Sequence, residues 1–259
     1  MKKWLILSLV LATAACTATP AATPTASGPR TLRVMTHDSF ALSEDVLKSF
    51  EDAHQVTVEV LKSGDAGSLV NKAILAGETP LADVLYGVDN AFLSRALDNE
   101  LFEAYTPVAL TGVPAEFQLD KTGRATPVDY GDVCLNYDKA YFVERGLSLP
   151  QTLEDLAKPE FKGLLVIENP ATSSPGLAFL LATIAHFGED GYLNYWKSLR
   201  DNEVKVVDDW STAYYTDFSG SSGKGPRPLV VSYASSPPAE VIFADPRPAD
   251  APTASIVGP

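Results

Sequence analysis

Cysteine and histidine are nearly missing from this chain: 259 residues hold two Cys and three His. A zinc site of four cysteines is therefore excluded, and a His-rich metal site is disfavoured. Cationic residues are also scarce. Twenty Lys and Arg stand against 33 Asp and Glu, a net charge of −13 at pH 7. Nucleic acid and an anionic membrane surface drop out as main partners, because their phosphates would be repelled. A cationic ligand is tolerated, even attracted. Past the first ten residues, no run is long and apolar enough to cross a membrane. There is no G-x-S-x-G elbow and no P-loop lysine, and His37, His54 and His186 stand in unrelated contexts. Paired acids such as Asp208-Asp209 are ordinary in so acidic a chain. No catalytic residue, metal site or cofactor is expected. What the composition does supply is 46% hydrophobic residues, enough for a globular body with its own core.

Met1-Lys2-Lys3 is basic, Trp4 to Val10 is apolar, and the residues to Ala15 turn small, so 1–15 reads as a secretory signal peptide. Cys16 follows Ala14-Ala15 and is expected to carry a lipid anchor. Thr13 stands where such boxes usually carry Leu, and simple cleavage near Ala15, giving a soluble exported protein, is the alternative. Residues 16–29, rich in Thr and Pro, read as a disordered tether behind that cysteine. The domain would then sit just outside the cytoplasmic membrane. With Cys16 acylated, Cys134 lacks a partner in this chain and is expected to be a buried, unreactive thiol.

From residue 30 strands and helices alternate. Thr31–Thr36 is a strand, Ser43 can cap a helix carrying Val46, Leu47 and Phe50, and Gln55–Leu61 alternates as a strand. A helix from about Ser68 ends at Gly77, Ala82–Tyr86 is a short strand, and Asp89 can cap a helix through Leu97. A second block repeats the pattern without repeating the sequence. Residues 127–137 are extended, Thr152 opens a short helix, and Gly163–Glu168 is a buried strand. Helix 176–187, strand 203–207, helix 211–218 and strand 229–233 follow. Ser219–Gly225 is expected to be a flexible surface loop. The fold class is α/β, with two lobes joined near 125–129 and mainly parallel sheets flanked by helices. The expected bounds are 30–126 for lobe one and 127–250 for lobe two. Ligands of such sheets bind beyond the carboxyl ends of the strands, here in the cleft between lobes.

Polar clusters fall at those ends: His37-Asp38, Asp65 to Ser68, Asp89-Asn90, Asp129-Tyr130-Gly131, Asn169 to Gly176, Asp208 to Tyr215, and Ser232 to Pro237. Two of them put Ser, Thr and Gly before helices, where backbone N–H groups can hold an anion; plain helix capping explains each turn equally well. Trp210, between Asp209 and Ser211 at a helix entrance, is an odd core residue. Its ring beside carboxylates suits a flat organic cation, with partial burial as a packing residue the alternative. Tyr130 and Tyr233 can add stacking or hydroxyl contacts.

At these turns the chain resembles the solute-binding proteins of bacterial thiamine ABC transporters, a branch of the type II periplasmic binding proteins. The matching stretches are THDSF at 36–40, ADVLYGVDN at 82–90, VDYG at 128–131, NPATSSPGL at 169–177, DWSTAY at 209–214 and VVSYASSP at 230–237. The resemblance implies a monomer that closes its lobes on thiamine or a thiamine phosphate and delivers it to a membrane permease. It implies that Trp210 stacks on the thiazolium and that Tyr233 lines the same pocket. Asp65, Ala66 and Ser173 would approach the hydroxyethyl or phosphate end, with His37, Asp38, Ser68, Asp89, Tyr130 and Tyr214 around them. His37 and Ala239 stand at positions that are aromatic in other members. The family also implies a chain continuing past Pro259, with 251–259 beginning a return to lobe one. Two further readings remain open. Tyr214-Tyr215 with His37 resembles the ligand set of ferric-ion binders on this fold, and an exported hydrolase is the third.

Overall fold

The computed structural model describes residues 30–221 and 223–256, so the signal segment, Cys16 and the tether lie outside the described residues. Two sheets form. The first is built from β1 (Arg30–Thr36), β2 (Val56–Lys62) and β3 (Val84–Tyr86), in the order β2-β1-β3 and wholly parallel. Parallel neighbours need crossovers, which α1 (Glu44–His54) and α2 (Ala66–Ala76) supply; α3 (Leu93–Asp98) follows β3. Its core gathers Met35, Leu69, Val70, Phe92 and Ala96. Asp65 caps α2 by accepting the Ala66 N–H at 2.9 Å, so the helix starts before Ser68, which lies in its first turn. The sequence points to Ser68 because the first apolar residue, Leu69, comes only there.

The second sheet has five strands: β4 (Val133–Asp138), β5 (Leu165–Glu168), β6 (Lys205–Val207), β7 (Leu229–Tyr233) and β8 (Thr253–Ile256), in the order β6-β5-β7-β4-β8. β5 pairs in parallel with β6 and β7, while β4 runs antiparallel to β7 and β8. The expectation of parallel sheets therefore holds for all of the first and about half of the second. Around them lie α4 (Lys139–Arg145), α5 (Ser174–Asp201), α6 (Trp210–Thr212), which runs on into a π-helical turn at Ala213–Asp217, and α7 (Ser236–Ile242). α5 is longer than the sequence suggests: it bends at Gly188, whose φ of 73° breaks the helix and then lets it resume. Leu165 and Ile167 of β5 face a core with Phe142, Leu156, Phe179 and Leu199, whereas Val166 faces Tyr214, Phe218 and Val230 on the other side.

One expectation fails outright. Ser219–Gly225 is not a loose surface loop in its described residues. Gly220 and Gly223 are buried, and a Cβ on Gly223 would stand 2.3 Å from the Phe218 carbonyl oxygen. Glycine is there for close backbone packing rather than for freedom.

Candidate functional site

The wall on the second lobe is built around Trp210. Asp209 fixes the turn after β6: its carboxylate accepts the Thr212 N–H at 2.7 Å and the Thr212 hydroxyl at 2.8 Å. The Trp210 ring lies flat on Tyr214, with centroids 4.9 Å apart and planes 17° apart, and Tyr215 meets it edge-on. Its Nε1 donates to Ser232 Oγ at 2.8 Å, and that hydroxyl pairs with Ser236 Oγ at 3.0 Å. The indole is thus held by its back and its edge. Among the described residues no second ring stacks on its opposite face.

The wall on the first lobe is also aromatic. His37, Phe40 and Tyr86 cluster, with His37 5.8 Å and Phe40 5.2 Å from Tyr86, ring centre to ring centre. Gly87 sits against the imidazole, where a Cβ would meet His37 Cδ2 at 2.6 Å. The Tyr86 hydroxyl donates to Asp129 Oδ2 at 2.5 Å, and burial followed by this bond pushes the phenol up to about 12.

Further contacts join the walls. Asp65 Oδ2 accepts the Trp210 main-chain N–H at 3.1 Å, and Ser39 Oγ meets Ser211 Oγ at 3.2 Å. The N–H groups of Gly67 and Ser68 donate to the Thr172 carbonyl at 2.9 and 3.2 Å. This last approach requires glycine at 67, where a Cβ would lie 2.7 Å from the Ala171 carbonyl oxygen. The free N–H groups at the start of α2 are thereby satisfied by the turn that opens α5.

Acidic groups surround the junction. Burial, then the charges of Asp65, Asp89, Glu168 and Asp129, push the Tyr233 phenol far up. Burial lowers the His37 imidazole against the opposing pull of Asp65, Asp129 and Asp38, and Lys62 adds to the lowering. Asp65 is common to both. At the strand and helix ends nearby, Thr36 Oγ1, both Glu168 carboxylate oxygens, Ser173 Oγ and Ser174 Oγ are buried without a protein hydrogen-bond partner. Such groups usually find a partner when a site is filled.

The expected residues fall into sets. Trp210, His37, Asp65 and Ala66 meet at the junction, Ser68 and Ser173 border it, and Tyr233 and Asp89 share its acidic field. Ser173 precedes α5 but makes no cap bond, which leaves its buried hydroxyl free for another partner. Asp38 is exposed, accepts the Gly64 N–H at 2.8 Å, and its charge bears on His37. Tyr130 is 76% exposed and stacks on Phe117 at 4.7 Å. Tyr214 lies behind Trp210, and its hydroxyl donates to Glu240, which also accepts from Thr253 at 2.7 Å. Tyr214 is almost fully buried with its hydroxyl bonded to Glu240, and burial and that bond raise the phenol; this buried, bonded position counts against the ferric reading. Cys134 is half-buried among the described residues, and burial raises its thiol. Reading by sequence placed Phe40 and Ser232 in polar clusters without giving either a role, and it missed Tyr86 and Glu168. Glu168 alone left a signal: a carboxylate closing an apolar run at a strand's carboxyl end.

The model of the bacterial extracellular solute-binding protein family matches residues 79–237. The chain belongs to this family. A thiamine-binding periplasmic protein of Salmonella typhimurium is 33% identical over 217 residues, 82% of this chain and 62% of that protein. One from Haemophilus influenzae is 31% identical over 243 residues, 89% of this chain and 68% of that one. The chain thus spans less than two thirds of the length of several of its curated relatives, 62% and 61% in two cases. Among solved structures, a periplasmic thiamin binding protein superposes with a TM-score of 0.69 at 29% identity, covering 88% of this chain and 70% of its own. Iron-bound HitA from Pseudomonas aeruginosa reaches a TM-score of 0.64 at 23% identity over 79% of this chain, and that likeness speaks to fold alone. The two-lobed architecture of a type II binding protein is what this solute-binding chain adopts.

Proposed function

We propose that this solute-binding protein takes thiamine, or a thiamine phosphate, between its lobes and passes it to an ABC permease without chemical change. The single observation that carries the reading is Trp210: its ring is clamped on one side by Tyr214 and presented beside acidic groups where the lobes meet. A flat cation gains from the ring's π face and from the surrounding carboxylates at once. The relatives named as thiamine binders support the same ligand. Trp210 would carry the thiazolium. Asp65, Ala66 and Ser173 would approach the hydroxyethyl end, with Tyr233, His37, Asp89 and Ser68 around them. Titration of the protein with thiamine and with thiochrome, its flat uncharged oxidation product, tests this. Thiamine should bind at least tenfold more tightly; equal affinity for the two would contradict the cation reading.

A protein of this sort works as a monomer, outside the cytoplasmic membrane, with lobes bounded near 30–126 and 127–250. Ala14-Ala15-Cys16 supports a lipid anchor at Cys16, and several acyl chains would hold where one binds weakly. Fractionation of cells expressing Cys16→Ser should move the protein from the membrane to the soluble fraction. Unchanged membrane retention would place the anchor elsewhere.

A further inference from the structure

Glu168 takes no part in the walls just described. It ends β5 completely buried, and neither of its carboxylate oxygens has a protein partner. Strand alternation puts it on the face of Val166, the side of Trp210, Tyr214 and Val230. The chain then turns into α5, whose Gly176 presses on residue 168 so closely that a Cβ would stand 2.3 Å from the Glu168 carbonyl oxygen. In that turn the Ser173 and Ser174 hydroxyls are buried and equally unpartnered.

The charges that bear on Glu168 are all acidic. Asp65 reaches it from the start of α2 and Asp209 from the turn before Trp210, while the Tyr233 phenol on β7 lies in its field. Asp208 is bonded to Asn169 at 3.3 Å, and Lys205 on β6 is exposed. None of the salt bridges among the described residues includes Glu168. An ionised carboxylate in such a place is buried away from bulk solvent with no protein counter-ion, and only its own backbone N–H bears on it as a donor. Burial, with the charges of Asp65 and Asp209 behind it, pushes the carboxyl well above its usual range.

We propose that Glu168 is a further binding residue of the cleft, protonated when the cleft is empty and ionised as the counter-charge of an organic cation when it is full. The proposal rests on the cation reading above. On binding, the carboxyl O–H bond breaks, its proton passes to the buffer, and the carboxylate left behind pairs with the ligand's positive charge. Ligand uptake and proton release are then one equilibrium.

Calorimetric titration with thiamine at pH 7 in phosphate and in Tris tests this, since the difference in heats counts the protons released. The wild-type protein should release a measurable fraction of a proton. Glu168→Gln, equal in size, should release close to none and bind at least tenfold more weakly at pH 8. A Gln variant that releases as many protons and binds as tightly overturns the proposal, as does a wild-type protein that binds without release. Absence of thiamine heat in the wild type would instead sink the thiamine reading. Melts of the empty proteins decide the protonation part without any ligand. A raised carboxyl favours the folded state below the ordinary Glu range, and that advantage fades as pH rises. Wild-type stability should fall from pH 5 to 8 relative to Glu168→Gln. Parallel curves would overturn the proposal whatever the ligand.

Discussion

Trp210 is fixed at its back, its edge and its main chain before any ligand arrives. Rigid aromatic platforms lose little freedom on binding, which is why the bond to Ser232 matters although Ser232 is itself buried and out of a ligand's reach. A net hydrogen bond of this kind is worth about 1 kcal/mol, so Ser232→Ala should weaken thiamine binding by roughly fivefold. Titration calorimetry on the folded variant checks it; an unchanged affinity would mean the ring is held without this bond. His37 gives a prediction of the opposite kind, set by pH. Its imidazole is lowered by burial, so the folded protein resists protonation there while the unfolded chain, near pH 6.5, does not. The unfolded state therefore binds more protons below that pH, and folding stability drops as the solution is acidified through it. An imidazolium facing the cleft would also repel a cationic ligand. His37→Gln should flatten both the melting temperature and the affinity between pH 6.5 and 5. Identical curves for the two proteins would remove His37 from the account.

At the scale of elements, α2 and the turn before α5 hold the two lobes to each other, joined by two N–H bonds to one carbonyl. Gly67→Ala would push a Cβ to 2.7 Å from the Ala171 carbonyl and force the lobes apart. Overpacking of this sort costs about 1–3 kcal/mol, so binding should weaken roughly fivefold to a hundredfold. Gly112→Ala, with nothing near its Cβ, is the control and should bind normally. Normal binding by Gly67→Ala would show that closure does not need that approach. Much of this framework is legible in the residues themselves. Val56–Lys62 alternates because one side of β2 packs and the other does not, and β5 reads as a short apolar run because both its faces are covered. The direction of β4 was not legible, since an extended run looks the same entering a sheet either way. The tightness of Ser219–Gly225 was hidden for a related reason. Glycine marks both slack loops and close packing, and only the position of the Phe218 carbonyl separates them. Trp210, Asp65 and Ser173 stood out as polar or aromatic residues at strand ends. Tyr86 did not, and the roles of Phe40 and Ser232 within their clusters did not either, because an aromatic ring or a hydroxyl in a strand or turn is ordinary until its neighbours across the fold are known.

At the scale of the whole molecule, the acidity of the chain and the placement of its carboxylates agree. A net charge of −13 is spread over the surface, but Asp65, Asp89, Asp129, Asp209 and Glu168 converge where the two sheets' strand ends face each other. That convergence favours positive charge at the junction, beside the aromatic rings of both walls. Calorimetric titration of the wild-type, Trp210→Phe and Trp210→Ala proteins with thiamine tests whether Trp210 is the platform for a flat cation. A desolvated cation–π contact contributes about 2 kcal/mol, so Trp210→Ala should bind more than tenfold more weakly and Trp210→Phe should fall in between, with melts confirming that all three are folded. A folded Trp210→Ala that binds thiamine as tightly as the wild-type protein would contradict the account.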